Sequence, residues 1–173
     1  MSSYANIHNA IELMYDAEGS FTVYINGGKH ILNIGELALF PSNAVHSAFA
    51  GDERGGKHLC IKLRSSVIFN IASNKQKALY MLQLSTCQKG QKLVFSREEL
   101  EKMGISTLLR ELFAYLEAPG YAADLLIKAN MVKICALLLN YYDEVAEHLG
   151  KTVTAAALDK IYQTMRFINA HFK

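Results

Sequence analysis

The apolar positions along this chain keep two different periods. Up to about residue 95 they come in short runs, several alternating with polar residues, interrupted at Gly19, at Asn26-Gly27-Gly28 and at Pro41. A period of two puts successive side chains on opposite faces of a strand. HNAIELMYDAEGS, FTVYINGGKHILNIG, ELALFP and HLCIKLR therefore read as strands. Asn26, Gly27 and Gly28 supply the left-handed backbone of a tight hairpin turn. Pro41 stops its strand because it has no N–H for the ladder. Short strands at this spacing predict a sandwich or barrel.

From Ser96 onward the period becomes helical. SREELEKM carries a capping box, in which the Ser96 hydroxyl accepts from a first-turn amide and Glu99 reaches back to the Ser96 amide. The pattern predicts one helix from there to about Leu116, ended by Pro119-Gly120. A second helix covers 122–148, apolar almost all the way round, which requires cover on more than one side. Gly150 ends it, and Thr152 or Thr154 caps a third. There Leu158, Ile161, Tyr162, Met165, Ile168 and Phe172 recur at spacings of three and four. Strands first and helices after make an α+β chain.

Composition narrows the functional classes. With 51% apolar and 20% charged residues the 173-residue chain has the make-up of a soluble globular protein. A net charge of +2 without a run of Lys or Arg gives no nucleic-acid surface, and Lys57, Lys62, Arg64, Lys75 and Lys77 read as a solvated face. Cys60, Cys87 and Cys135 are scattered and form no Cys-x-x-Cys pair, which points to reduced thiols and a cytoplasmic location. The N-terminal MSSYANIHNAIELMY does not resemble a signal peptide. The most apolar stretch, 125–139, is interrupted by Lys128, Asn130 and Lys133, which argues against a membrane span. No Ser nucleophile elbow or Gly-rich phosphate loop is present, so no catalytic residue is assigned.

The candidate chemistry lies around GELALFPSNAVHSAF. Its spacing, Gly35-x5-Pro41-x-Asn43-x2-His46, resembles the second cupin motif, Gly-x5-Pro-x-Gly-x2-His. Upstream, His8-x3-Glu12-x6-Gly19 resembles the second half of the first cupin motif. Residues 8 and 12 share a strand face, and a turn at Pro41 can return His46 to them. Three positions depart from the pattern: Asn6 stands for the first histidine of the His-x-His pair, Asn43 for the second-motif Gly, and Ala50 for its closing Asn. A full four-ligand metal site is therefore absent, and no metal or other cofactor is assigned.

The chain as a whole is similar to the N-terminal half of AraC-type transcriptional regulators. The segment IELMYDAEGSFTVYINGGKHILNIGELALFPSNAVHS follows that family's sensing domain, and the segments around LVFSREELEKMGISTLLRELFAYLE and LLIKANMVKICALLLNYY match its two packing helices. LDKIYQTMRFINAHFK resembles the first helix of the family's DNA-binding unit. The resemblance implies a cupin-like barrel (double-stranded β-helix) over 1–95 and a helical dimerisation region over 96–149. A linker with the first helix of an otherwise missing DNA-binding domain then occupies 150–173. It further implies a small-molecule effector, a homodimer, and contact with DNA only through the absent domain.

Effector contacts are expected from Glu12, His46, His8, Tyr24 and Met14, with Tyr15 and Phe40 as further aromatics; core packing is the competing role for each. Leu126, Met131, Ile134 and Leu138 are expected on the dimer face, while Leu125, Val132, Ala136 and Leu139 pack on the barrel. Two other readings stay open. One is a small metal-dependent cupin enzyme, an isomerase or oxygenase, with its ion at His8, Glu12 and His46. The other is a pure dimerisation module with a filled pocket.

Overall fold

A computed structural model of the protein describes residues 5–51, 56–64, 84, 91–148, 160, 163, 164, 167 and 171. Its strands are β1 (Ile11–Glu18), β2 (Ser20–Ile25), β3 (Gly28–Asn33), β4 (Leu37–Phe40), β5 (His46–Ala50), β6 (Lys57–Leu63) and β7 (Val94–Phe95). The helices are α1 (Arg97–Lys102), α2 (Ile105–Glu117) and α3 (Ala123–His148). The strands form two antiparallel sheets, one ordered β6-β1-β4-β7 and the other β3-β2-β5.

Alternation along β1 explains how these layers stack. Ile11 and Leu13 face outward and join Leu37, Leu39, Leu59, Ile61 and Leu63 in a core shared with the helices. Met14, on the opposite face, packs with Phe21, Val23, Ile25, Leu32, Ala38, Phe40 and Ala44 between the sheets. The β6-β1-β4-β7 sheet is thus a middle layer, apolar on both faces as a doubly covered sheet must be. Asn26 (φ 48°) and Gly27 (φ 85°) take the left-handed conformations expected of the β2–β3 hairpin turn.

The link from the strands to the helices is stitched on both sides. The Leu39 amide donates to the Leu93 carbonyl at 2.7 Å, Val94 and Phe95 pair with β4, and the Tyr142 hydroxyl of α3 donates to the Lys92 carbonyl at 2.7 Å. The capping box forms as expected. The Ser96 hydroxyl accepts from the Glu99 amide at 3.3 Å, and the Ser96 amide donates to the Glu99 carboxylate at 2.9 Å.

Two sequence expectations are corrected. The single helix expected from 96 to 116 is two helices, because Gly104 adopts φ 74° and turns the chain between them. On α3, Ile134 and Leu138 do not face a partner subunit: both are completely buried against the barrel, with Cys135, Leu139 and Tyr142 beside them. Leu125 and Leu126, by contrast, are 63% and 44% exposed, and Ala136 is exposed too. Met131 is half-buried at the edge of the core. The Leu158–Phe172 stripe of the third expected helix lies outside the described residues.

Candidate functional site

The turn after β4 builds the site. The Ala44 amide donates to the Pro41 carbonyl at 3.1 Å, closing a turn in which Asn43 takes φ 60°. Asn, the non-glycine residue that best tolerates the left-handed region, thus does the work of the cupin-motif glycine. The turn is fastened to the segment before β1: the Asn43 amide donates to the His8 carbonyl at 2.8 Å, and the Ser42 hydroxyl to the Asn9 carbonyl at 3.0 Å. Asn6 then pairs with His46 through main-chain bonds of 2.7 and 3.0 Å. Its side chain is not needed for that role, which fixes His46 against the first strand.

Three of the expected site residues meet there. The Glu12 Oε2 atom lies 2.8 Å from His8 Nε2 and 3.4 Å from His46 Nε2. Glu12 and His46 are 8% and 4% exposed, so the cluster is set into the barrel. The two imidazoles meet edge to face with centroids 4.9 Å apart, and Phe40 stacks on His46 at 4.6 Å. Met14 follows Glu12 on the same inner face, inside the apolar cluster. Tyr24 is not brought to this group. It lies on the outer face of β2, where with Thr22, Lys29, Ser47 and Phe49 it lines a shallow groove and meets Phe49 edge to face. Tyr15 likewise points outward, toward Phe113 of α2.

Two neighbours of Glu12 were missing from the sequence expectation. β6 sets Lys62 directly opposite Glu12 and Cys60 opposite Met14. The Lys62 Nζ atom lies 3.3 Å from Glu12 Oε2, and the Cys60 thiol donates to Glu12 Oε1 at 3.2 Å. The alternation in HLCIKLR marks Cys60 and Lys62 as sharing a face, but only the long-range β1–β6 pairing aims that face at Glu12. Lys62, Cys60 and His58 all turn to the inner face yet are exposed, so the barrel interior is accessible along β6.

Charge follows from these partners. Burial acts to raise the Glu12 pKa, but hydrogen bonds from Cys60 and His8 and the nearby Lys62 and His46 outweigh it, holding the carboxyl below its ordinary value. The Cys60 thiol is pushed up to about 12 by burial and by the adjoining Glu12 carboxylate. Four residues beyond Glu12 on the same face, Asp16 is completely buried opposite His58. Its Oδ1 accepts from the Glu18 amide at 3.1 Å while Oδ2 has no partner, and burial raises its pKa.

A two-sheet barrel that carries helices on its outer face and converging polar groups inside is the arrangement on which known families can be compared. The family model described as the AraC-like ligand binding domain matches residues 3–134. The chain belongs to this family. The AraC-like domain is a cupin-like β-sandwich, and the match spans both sheets, α1, α2 and the first half of α3. No curated protein matches the chain significantly. The family places the chain in transcription regulation, as an N-terminal ligand-binding domain. Among the described residues, no helix is long and apolar enough to cross a membrane.

Proposed function

We propose that the chain senses a small-molecule effector and dimerises as part of a cytoplasmic AraC-type transcription regulator, with DNA contacted by helix-turn-helix elements outside these 173 residues. In domain terms, 1–95 is the effector barrel, 96–149 the helical dimerisation region and 150–173 the lead into the DNA-binding unit. The observation that carries the sensing role is the convergence of His8, Glu12 and His46 beside the accessible β6 face. This is the mixture of apolar wall and few polar groups that small-molecule sites use. The chain is read as a sensor and not an enzyme, because its family is a ligand-binding one and the Cys60 thiol beside Glu12, pushed up to about 12, is a poor nucleophile.

An ionised Glu12 favours a neutral hydroxyl-bearing or a cationic effector over an anion. The effector acts by binding two arrangements of barrel and helices with different affinity. A thermal-shift screen of small polyols, amines and carboxylates tests this. A compound from the first two classes raises the Tm of the wild type and not of Glu12→Gln. Equal stabilisation of both proteins removes Glu12 from the pocket.

Dimerisation is supported by the apolar surface that α3 leaves uncovered. Leu125, Ala129, Val132 and Ala136 follow one another at spacings of four, three and four, away from the buried stripe. Tyr121, Leu116 and Leu126 add exposed apolar area near its start. Light scattering on Leu125→Glu reads out a folded monomer where the wild type is a dimer. An unchanged dimer moves the interface elsewhere.

A further inference from the structure

The β3-β2-β5 sheet has an edge that its own strands leave open. Among the described residues β3 pairs with β2 alone, in an unbroken register from Ser20↔Asn33 to Ile25↔Gly28. In an antiparallel pair, residues alternate between those whose N–H and C=O face the partner strand and those whose groups face away. Asn33 sets the phase. Its amide donates to the Glu36 carboxylate at 2.8 Å and its carbonyl accepts from the Glu36 amide at 3.0 Å, so both groups point away from β2. Counting back by two, Ile31 and Lys29 also turn their amides and carbonyls to the free edge. Their side chains share the outer face of the sheet, where Ile31 is 60% exposed.

We infer that β3 pairs with β3 of a second copy of this chain, antiparallel about a two-fold axis at His30, so that the two sheets run on as one. In this register Lys29 stands opposite Ile31 of the other copy, and each such pair exchanges both of its main-chain hydrogen bonds. The neighbouring registers are worse. Centring on Ile31 sets Lys29 against Asn33, whose amide and carbonyl are already taken by Glu36. Centring on Lys29 opposes two ammonium groups.

Charge complementarity favours a second copy over any other strand. Asn33 lies diagonal to Lys29 across the seam, a spacing that long side chains bridge. The Glu36 carboxylate held on the Asn33 amide therefore comes within reach of the Lys29 ammonium of the other copy, and the two-fold repeats the contact. Gly27, in the turn before β3, borders open space, which leaves room for that carboxylate. On the outer face Ile31 of the second copy continues the row Ser47, Tyr24, Lys29 and packs on the Lys29 stem. The helices cover the other sheet, so the seam is separate from the α3 surface and adds to it. A seam of two short strands buries less than the roughly 1,200 Å² of a standard interface, so it is weak and fills only at high protein concentration.

Disulfide trapping in the full chain tests this. At the two-fold the His30 positions form a non-hydrogen-bonded pair with Cα atoms about 4.5 Å apart, within disulfide reach. His30→Cys therefore links two chains in air, read as a dimer band without reductant and as a peptide joined through the introduced thiols by mass spectrometry; wild type, with its native thiols, supplies the baseline. Lys29→Cys and Ile31→Cys give no such link, because the strand rise puts each about 8 Å from its own copy, beyond the ~7 Å limit. All variants keep the wild-type circular dichroism. Adding Ile31→Lys to His30→Cys sets ammonium against ammonium across the seam and cuts the linked fraction by at least about tenfold. Adding Leu125→Glu leaves the link in place. No linked peptide from folded His30→Cys overturns the inference, as does equal linkage from Ile31→Cys or a yield indifferent to Ile31→Lys. Loss of the link in the Leu125→Glu background assigns it to the α3 dimer and overturns the seam.

Discussion

Glu12 and Asp16 occupy the same face of the same strand, both buried, four residues apart, and their pKa values are shifted in opposite directions. Glu12 is surrounded by the Cys60 thiol, two imidazoles and the Lys62 ammonium, and is held ionised. Asp16 has a single backbone amide on one oxygen and nothing on the other, and its charged form is disfavoured. Burial is common to both, so burial alone does not set the charge of an interior carboxylate. The number of donors that the neighbouring strands deliver does.

The comparison can be broken at its stronger end first. Glu12→Leu removes the acceptor on which Cys60, His8 and Lys62 converge. It lowers stability in urea unfolding at pH 7 by about 1–3 kcal/mol, the range for losing a shared buried acceptor. An unchanged midpoint would show that the cluster is held by packing alone. The Cys60 thiol reports on the same charge from a distance of one hydrogen bond. Its alkylation by iodoacetamide at pH 8, followed on the Cys60 peptide by mass spectrometry, is slow because the thiolate is suppressed. Glu12→Gln speeds it, since the variant removes the carboxylate's share of the rise and leaves only the share due to burial. Equal rates in the two proteins would remove Glu12 as the cause.

The smallest effect is expected at Asp16. A carboxyl whose folded pKa is raised binds its proton more tightly in the native state than in the unfolded one. Stability therefore falls as pH rises from the ordinary value of 3.8 through the folded pKa, and the penalty is complete above it. Asp16→Asn keeps an acceptor for the Glu18 amide and removes the charge, so it gains up to about 1 kcal/mol at pH 7 and loses that advantage in acid. A variant less stable than wild type at pH 7 would mean that the orphaned oxygen finds a partner in solution.

How much of this could be read in advance depended on whether the pattern carried a phase. In the strands it did. Period two separated Ile11 and Leu13 from Glu12 and Met14, and the motif spacing brought His46 to His8 and Glu12. The same alternation placed Tyr24 opposite Phe21, Val23 and Ile25, so its outward position was visible in the sequence and was overridden by the expectation of aromatic pocket residues. In α3 the phase was lost. A helix apolar nearly all round offers several equivalent faces, and only contact with the barrel shows that Ile134 and Leu138 point inward while Leu125 points out. Lys62 and Cys60 were hidden for another reason. They reach Glu12 through a pairing of strands some fifty residues apart, and register of that range is written in no local window. The break at Gly104 shows the reverse case, a single residue whose freedom outweighed a continuous helical pattern.

The stitched segment before α1 has a mechanical consequence. Its Leu93 carbonyl holds β4, its Lys92 carbonyl holds α3, and β4 ends at Phe40, the ring stacked on His46. A torque applied to α3 is therefore delivered to the Phe40–His46 stack through a short tether of hydrogen bonds, without first crossing the helical core. The strand and the helix behave as two plates riveted along one seam, and a lever on either plate turns both.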